Sequence, residues 1–120
     1  MAPPLSVRIR IDDMIEAIDT IEDLIGGLDF AIYEELRGQR RGVERCIEIV
    51  SEASRHIPDD LRAQYPDIPW RSIRDIGNVL RHGYSTVDNH MIWQVATVHL
   101  PTLKVTLNRM LGSLPPETED

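Results

Sequence analysis

Residues 11–25 read Ile-Asp-Asp-Met-Ile-Glu-Ala-Ile-Asp-Thr-Ile-Glu-Asp-Leu-Ile. Ile11, Met14, Ile15, Ile18, Ile21, Leu24 and Ile25 recur at helical spacing, while Asp12, Asp13, Glu16, Asp19, Glu22 and Asp23 fill the other side. A stripe of that period is one buried face of an α-helix, not the two-residue alternation of a half-buried strand. Gly26-Gly27 then ends the segment. The same period runs through almost the whole chain and no segment alternates at period two. The stretch therefore predicts an all-α fold, an up-and-down helical bundle.

Working outward, residues 29–56 predict a long second helix through Phe30, Tyr33, Leu36, Val43, Ile47, Val50 and Ala53. At about 1.5 Å per residue it would span roughly 40 Å and form the spine of the bundle. Gly38 and Gly42 each cost it about 1 kcal/mol against Ala; they either admit close packing of another chain or mark a weak point. Pro58, Pro66 and Pro69 delimit a connection with a short turn over residues 59–65, and Pro69 suits the start of helix three. That helix turns Trp70, Ile73, Ile76 and Leu80 inward and ends near Gly83. Asp88 is the expected N-cap of helix four, which uses Ile92, Val95, Ala96, Leu103, Leu107 and Leu111 and which Pro101 should kink or divide. Residues 1–120 read as a single domain, with a core over about 7–111 and a flexible tail over 112–120.

Apolar residues make up 42% of the 120 and charged residues 28%, an ordinary globular composition. No apolar run approaches the roughly 20 residues that cross a bilayer, and residues 1–7 are no signal peptide, so no membrane partner is expected. The one cysteine, Cys46, excludes an intramolecular disulfide framework and a multi-cysteine metal site, which makes a cytoplasmic location the default. The net charge of −7 speaks against a nucleic-acid partner, because polyanions bind basic surfaces. Its distribution qualifies this. Residues 1–36 carry nine acids and two arginines, whereas residues 37–81 carry nine arginines and seven acids. All basic residues but Lys104 are arginine, whose planar fork suits phosphate and carboxylate.

Helix three carries a polar face. Arg74, Asn78, Arg81 and His82 fall at i, i+4, i+7 and i+8, with Arg71 one turn earlier and Tyr84 just after. One reading is a set of structural hydrogen bonds. The other is chemistry: a histidine near neutrality can move a proton while guanidiniums steady a developing phosphorane, which is what RNA cleavage by its own 2′-hydroxyl requires. No ligand spacing points to a metal site or another cofactor.

The order Gly42-Val-Glu-Arg-Cys-Ile-Glu-Ile-Val-Ser-Glu-Ala, Ile68-Pro-Trp-Arg-Ser-Ile-Arg-Asp-Ile-Gly-Asn-Val-Leu-Arg-His-Gly-Tyr, Ile92-Trp and Leu100-Pro-Thr-Leu resembles the HepT-like family of HEPN-domain toxins. The likeness runs over about residues 8–111. It implies a HEPN bundle of four to five helices that pairs as a homodimer and cleaves RNA without metal in the cleft between the copies. It also implies a cognate minimal nucleotidyltransferase antitoxin of the MntA type, which silences the toxin by adding AMP to a tyrosine. The family motif is Arg-x(4)-His-x-Tyr, with Asn after the Arg. On that pattern Asn78, His82 and Tyr84 match, Tyr84 being the expected AMP acceptor. Where the family has Arg this chain has Gly77, so Arg74 or Arg81 would have to supply the guanidinium. The alternative is a non-catalytic helical partner of such a nucleotidyltransferase.

Other residues carry two readings each. Glu52, in a Ser51-Glu-Ala stretch that resembles the family's Gly-Glu-Ala, could pair with the bases of helix three or form a plain surface ion pair. Asp75 could steer an arginine or His82, or pair with Arg71. Arg45 has Glu48 and Glu52 as helix neighbours. His56, His90 and His99 show no partner, Cys46 suits the core, and Trp70 and Trp93 suit packing more than base stacking. The acidic face of helix one is either solvated or open to a basic partner.

Overall fold

The computed structural model describes residues 4–82 and 88–115, and these hold helices and turns without a strand. Helix α1 spans Pro4–Ile25, beginning well before the isoleucine stripe. It ends where the sequence says it should: Gly27 takes φ 82°, a value only glycine adopts readily, and the Leu28 N–H closes the turn on the Ile25 carbonyl at 2.9 Å. The Ile11, Met14, Ile18 and Ile21 side chains are fully buried, against α3 (Arg37–Ser54) and α7 (Leu100–Ser113).

The long second helix is not continuous. Helix α2 spans Phe30–Glu35 and α3 begins at Arg37, with Leu36 between them at φ −99°, ψ 89°. Asp29 caps α2 by accepting the Ile32 N–H at 2.9 Å. The cause of the break lies in the last third of the chain. Phe30 stacks on His90 with ring centroids 3.9 Å apart, and Tyr33 lies 4.9 Å from Trp93. Aromatic contacts of this kind outweigh the propensity to run straight on, and His90, expected to lack a partner, belongs to this cluster. The Tyr33 hydroxyl is buried without a hydrogen-bond partner, and burial, with Glu44 nearby, pushes its pKa up to about 12. Gly42 serves the chain's own packing, since a Cβ there would lie 2.8 Å from Leu24 of α1, while Gly38 has nothing within 4 Å.

Helix α4 spans Asp59–Ala63 and α5 spans Trp70–His82. Trp70 is the packing anchor it was expected to be: its Nε1–H donates to the Arg62 and Tyr65 carbonyls at 3.2 Å each, tying α5 to α4. Asp88 caps α6 (Asn89–Gln94) by accepting the His90 N–H at 2.9 Å. Pro101 does not divide the helix that follows. Val95–His99 form a π-helical turn in which the Leu100 N–H reaches back to the Val95 carbonyl, and α7 continues from Leu100. The wider turn eases the clash a proline ring otherwise makes with the carbonyl four residues back, here that of Thr97. Lys104 of α7 meets Asp19 and Glu22 of α1 at 2.5 and 3.2 Å, so part of that acidic face is used within the chain. The helix runs to Ser113, past the expected start of the tail, and Arg8 donates to the Pro115 carbonyl at 3.0 Å.

Candidate active site

Helix α5 packs on α3 through an unusually close approach. Ser51 is fully buried and its hydroxyl donates to the Arg74 carbonyl at 3.1 Å. Opposite it stands Gly77, also buried. A Cβ on Gly77 would lie 2.6 Å from Ser51 Cβ and closer still to its Oγ, so the seam has no room for a side chain at this position. The Arg81 guanidinium lies over the same spot, with Nη1 3.5 Å from where that Cβ would be. Position 77, where the resemblance places an arginine, therefore faces α3 rather than open solvent.

The polar face lies beside this seam. Asn78 Oδ1 accepts from Arg81 Nη2 at 2.5 Å and from Arg55 Nη2, on the turn that ends α3, at 2.8 Å. His82 is exposed on the last residue of α5, one turn beyond Asn78, and no hydrogen bond among the described residues engages its ring. Cations there suit the negative end of the helix dipole. The structure thus brings Asn78, Arg81 and His82 together as the spacing requires. Arg71 and Arg74 lie on the same side of α5 but form no ion pair among the described residues. Tyr84 lies outside the described residues, as does the expected helix stop at Gly83.

Of the two supporting residues, Glu52 takes the second of its two readings, the surface ion pair, and Asp75 takes neither of its own among the described residues. Glu52 pairs along its own helix, with His56 at 3.3 Å and Arg55 at 4.0 Å, and not with the bases of α5; this also gives His56 the partner it was expected to lack. Asp75 forms no ion pair with Arg71 among the described residues and instead borders an apolar groove of about 580 Å³ between α5 and the π-turn. Ile73, Ile76, Val79 and Met91 line that groove, and His99 stands at its edge. Arg45 pairs with Glu48 at 3.2 Å, an exposed contact of little energetic weight. Cys46 is buried, which pushes its thiol pKa up against the opposing pull of Arg45.

Arg55 is the residue sequence reasoning missed, because it reaches the face from another helix. The signal available was the resemblance alone, which puts Gly at position 51 and Arg at 77 where this chain has Ser51 and Gly77. As it stands, the arrangement can hold an anionic oxygen on two arginines beside an imidazole able to give or take a proton. Among the described residues no group of three or more His, Cys, Asp or Glu side chains gathers as metal ligands would, and no helix is long and apolar enough to cross a membrane.

An all-α bundle with an arginine–asparagine–histidine face at the end of one helix is the class these features define. The chain belongs to the HepT-like family, described as ribonuclease HepT-like, whose model matches residues 14–110. It is 33% identical over 94 residues to "Probable ribonuclease HepT" of Thermococcus cleftensis, covering 78% of this chain and 86% of the relative. It is 25% identical over 118 residues to "Putative RNase MJ1216" of Methanocaldococcus jannaschii, covering 98% of each. No solved structure gives a significant match.

Proposed function

We propose that the chain is the toxin of a toxin–antitoxin pair, a metal-independent endoribonuclease that works in the cytoplasm as a homodimer. The observation that carries this reading is the placement of Arg81 on Asn78 beside the exposed His82 in a HepT-like chain. In the proposed reaction His82 takes the proton of an RNA 2′-hydroxyl. The 2′-oxygen attacks the adjacent phosphorus, the bond to the 5′-oxygen breaks, and that oxygen leaves with a proton returned by the imidazole or by water. Arg81, with Arg74 as the more distant candidate, balances charge on the phosphorane, and Asn78 orients the guanidinium. The half-exposed Ile73 and Ile76 and the exposed Val79 and Met91 support pairing of two copies, since single chains rarely leave such a groove wet. A minimal nucleotidyltransferase of the MntA type is the proposed antitoxin, silencing the site by placing AMP on the Tyr84 phenol.

A second reading keeps the fold and the partner but not the catalysis: a helical binding module for the nucleotidyltransferase. The buried Gly77 favours it, because the family's arginine has no space there. RNA cleavage by the purified chain in chelator separates the two. Cleavage that His82→Ala abolishes supports the nuclease, whereas cleavage that survives His82→Ala removes the catalytic assignment. A wild-type chain that leaves RNA intact supports the binding module. Co-expression with the partner should add the mass of AMP at Tyr84; an unmodified tyrosine beside an active partner counts against the regulation.

A further inference from the structure

We infer that Arg55 is the second arm of a phosphate clamp, closing with Arg81 across Asn78, and that the bare contact of Gly77 with Ser51 is what leaves this clamp its seat. The inference rests on the ribonuclease reading and names the group the face grips, the non-bridging oxygens of an RNA phosphodiester.

Two guanidiniums converge on a single neutral oxygen, Asn78 Oδ1, at 2.8 and 2.5 Å. Like charges brought this close repel, and a carboxamide oxygen does not neutralise either. The carboxylate nearest to Arg55 is Glu52, at 4.0 Å from Nε and already 3.3 Å from His56. Arg81 forms no ion pair among the described residues. Each arginine has five N–H donors, and the contact with Asn78 uses one of them. What remains is a pair of forks, fixed toward each other by a shared acceptor, whose charge an anion would complete. A phosphate fits this need better than a carboxylate, because its several oxygens can face both forks at once. Asn78 is then the hinge that sets the spacing, and His82, one turn further on, stands next to the held group.

The seam explains why the arms come from these two positions. With α3 and α5 in contact at Ser51 and Gly77, the turn that ends α3 carries Arg55 up to the end of α5. The same contact leaves the space above Gly77 to the Arg81 guanidinium. A side chain at position 77 would collide with Ser51 and force the two helices apart.

The test uses the full chain and a single-stranded RNA oligonucleotide carrying 2′-O-methyl groups throughout, which binds but cannot be cleaved through its 2′-oxygen. Arg55→Ala and Arg81→Ala should each weaken binding by about tenfold or more, the size expected for losing charged hydrogen bonds. Each should also flatten the dependence of affinity on salt by about one phosphate contact. Arg55→Lys, which keeps the charge but not the fork, should fall between, and Arg109→Ala on α7 should bind as wild type. The paired change Ser51→Gly with Gly77→Arg supplies an arm from position 77, and in that background Arg55→Ala should cost less than about threefold. Unchanged affinity in Arg55→Ala overturns the clamp, and so does a full tenfold loss in the paired background. The outcome is separable from the nuclease reading. A chain that binds through Arg55 but never cleaves unmodified RNA keeps the clamp and loses the nuclease, while one that cleaves with Arg55→Ala binding normally loses the clamp alone.

Discussion

Helix α3 packs chiefly on two other helices and meets them by opposite means. Toward α1, its most extensive contact, it shares a core in which Val43, Ile47 and Val50, each at most 1% exposed, join Ile11, Met14, Ile18 and Ile21 at 0%. Toward α5 it offers Ser51 to a glycine. The first seam is filled with volume and suffers when atoms are removed. The second is closed by the absence of side chains and suffers when atoms are added. The two seams therefore serve different ends. The α1 side holds the bundle together, and the α5 side brings two helices near enough for arginines from both to meet at Asn78.

The largest effect should come from emptying the filled seam. Ile47→Ala removes a buried branched side chain and should cost about 2–5 kcal/mol in chemical denaturation, with no direct effect on the arginine face. Next comes crowding the closed one. Gly77→Ala should cost about 1–3 kcal/mol by overpacking, and Ser51→Gly in the same chain should recover most of it, which a double-mutant cycle reads directly. If Gly77→Ala is neutral, the two seams do not differ in kind.

The smallest effect should come from Lys104→Met, which removes the ionic contact between α1 and α7 and leaves the apolar seam alone. Hydrogen bonds donated by the Lys104 ammonium to Asp19 first and then to Glu22 hold its pKa above the usual 10.5. A group whose pKa is raised on folding stabilises the fold at all pH values below its unfolded pKa and stops doing so as pH passes the raised one. The difference in Tm between wild type and variant should therefore be slight at neutral pH, shrink in high salt, and vanish in strong alkali. A large, salt-insensitive difference would mean that charge, not volume, closes this side of α1.

What was legible in the sequence was what neighbouring residues decide. The isoleucine period of α1, its stop at Gly26-Gly27, the Asp88 cap and the shared face of Asn78, Arg81 and His82 all lie within a few turns of chain. The break at Leu36 was not, because helical spacing continues unbroken through it and the reason sits at His90 and Trp93. Asp75 misled for a related cause: spacing along a helix gives the side of it a residue occupies, not which partner waits there. Position 77 was visible as a departure from the resemblance, but the Ser51 that faces it and the Arg55 that reaches Asn78 belong to α3 and the turn that ends it.

The π-helical turn at Val95–His99 has a meaning beyond its own residues. Such a turn holds one residue more than an α-turn, so it is in effect a one-residue insertion kept inside a helix. Removing a residue elsewhere in α7 would rotate everything downstream by about 100° against what lies upstream and carry Leu107 and Met110 off the core. Removing one within the π-turn instead closes it to an α-turn and leaves those residues where they are. Kindred chains that are shorter by one residue here must therefore lose the bulge itself, and an alignment of the family should place its gap within 95–99.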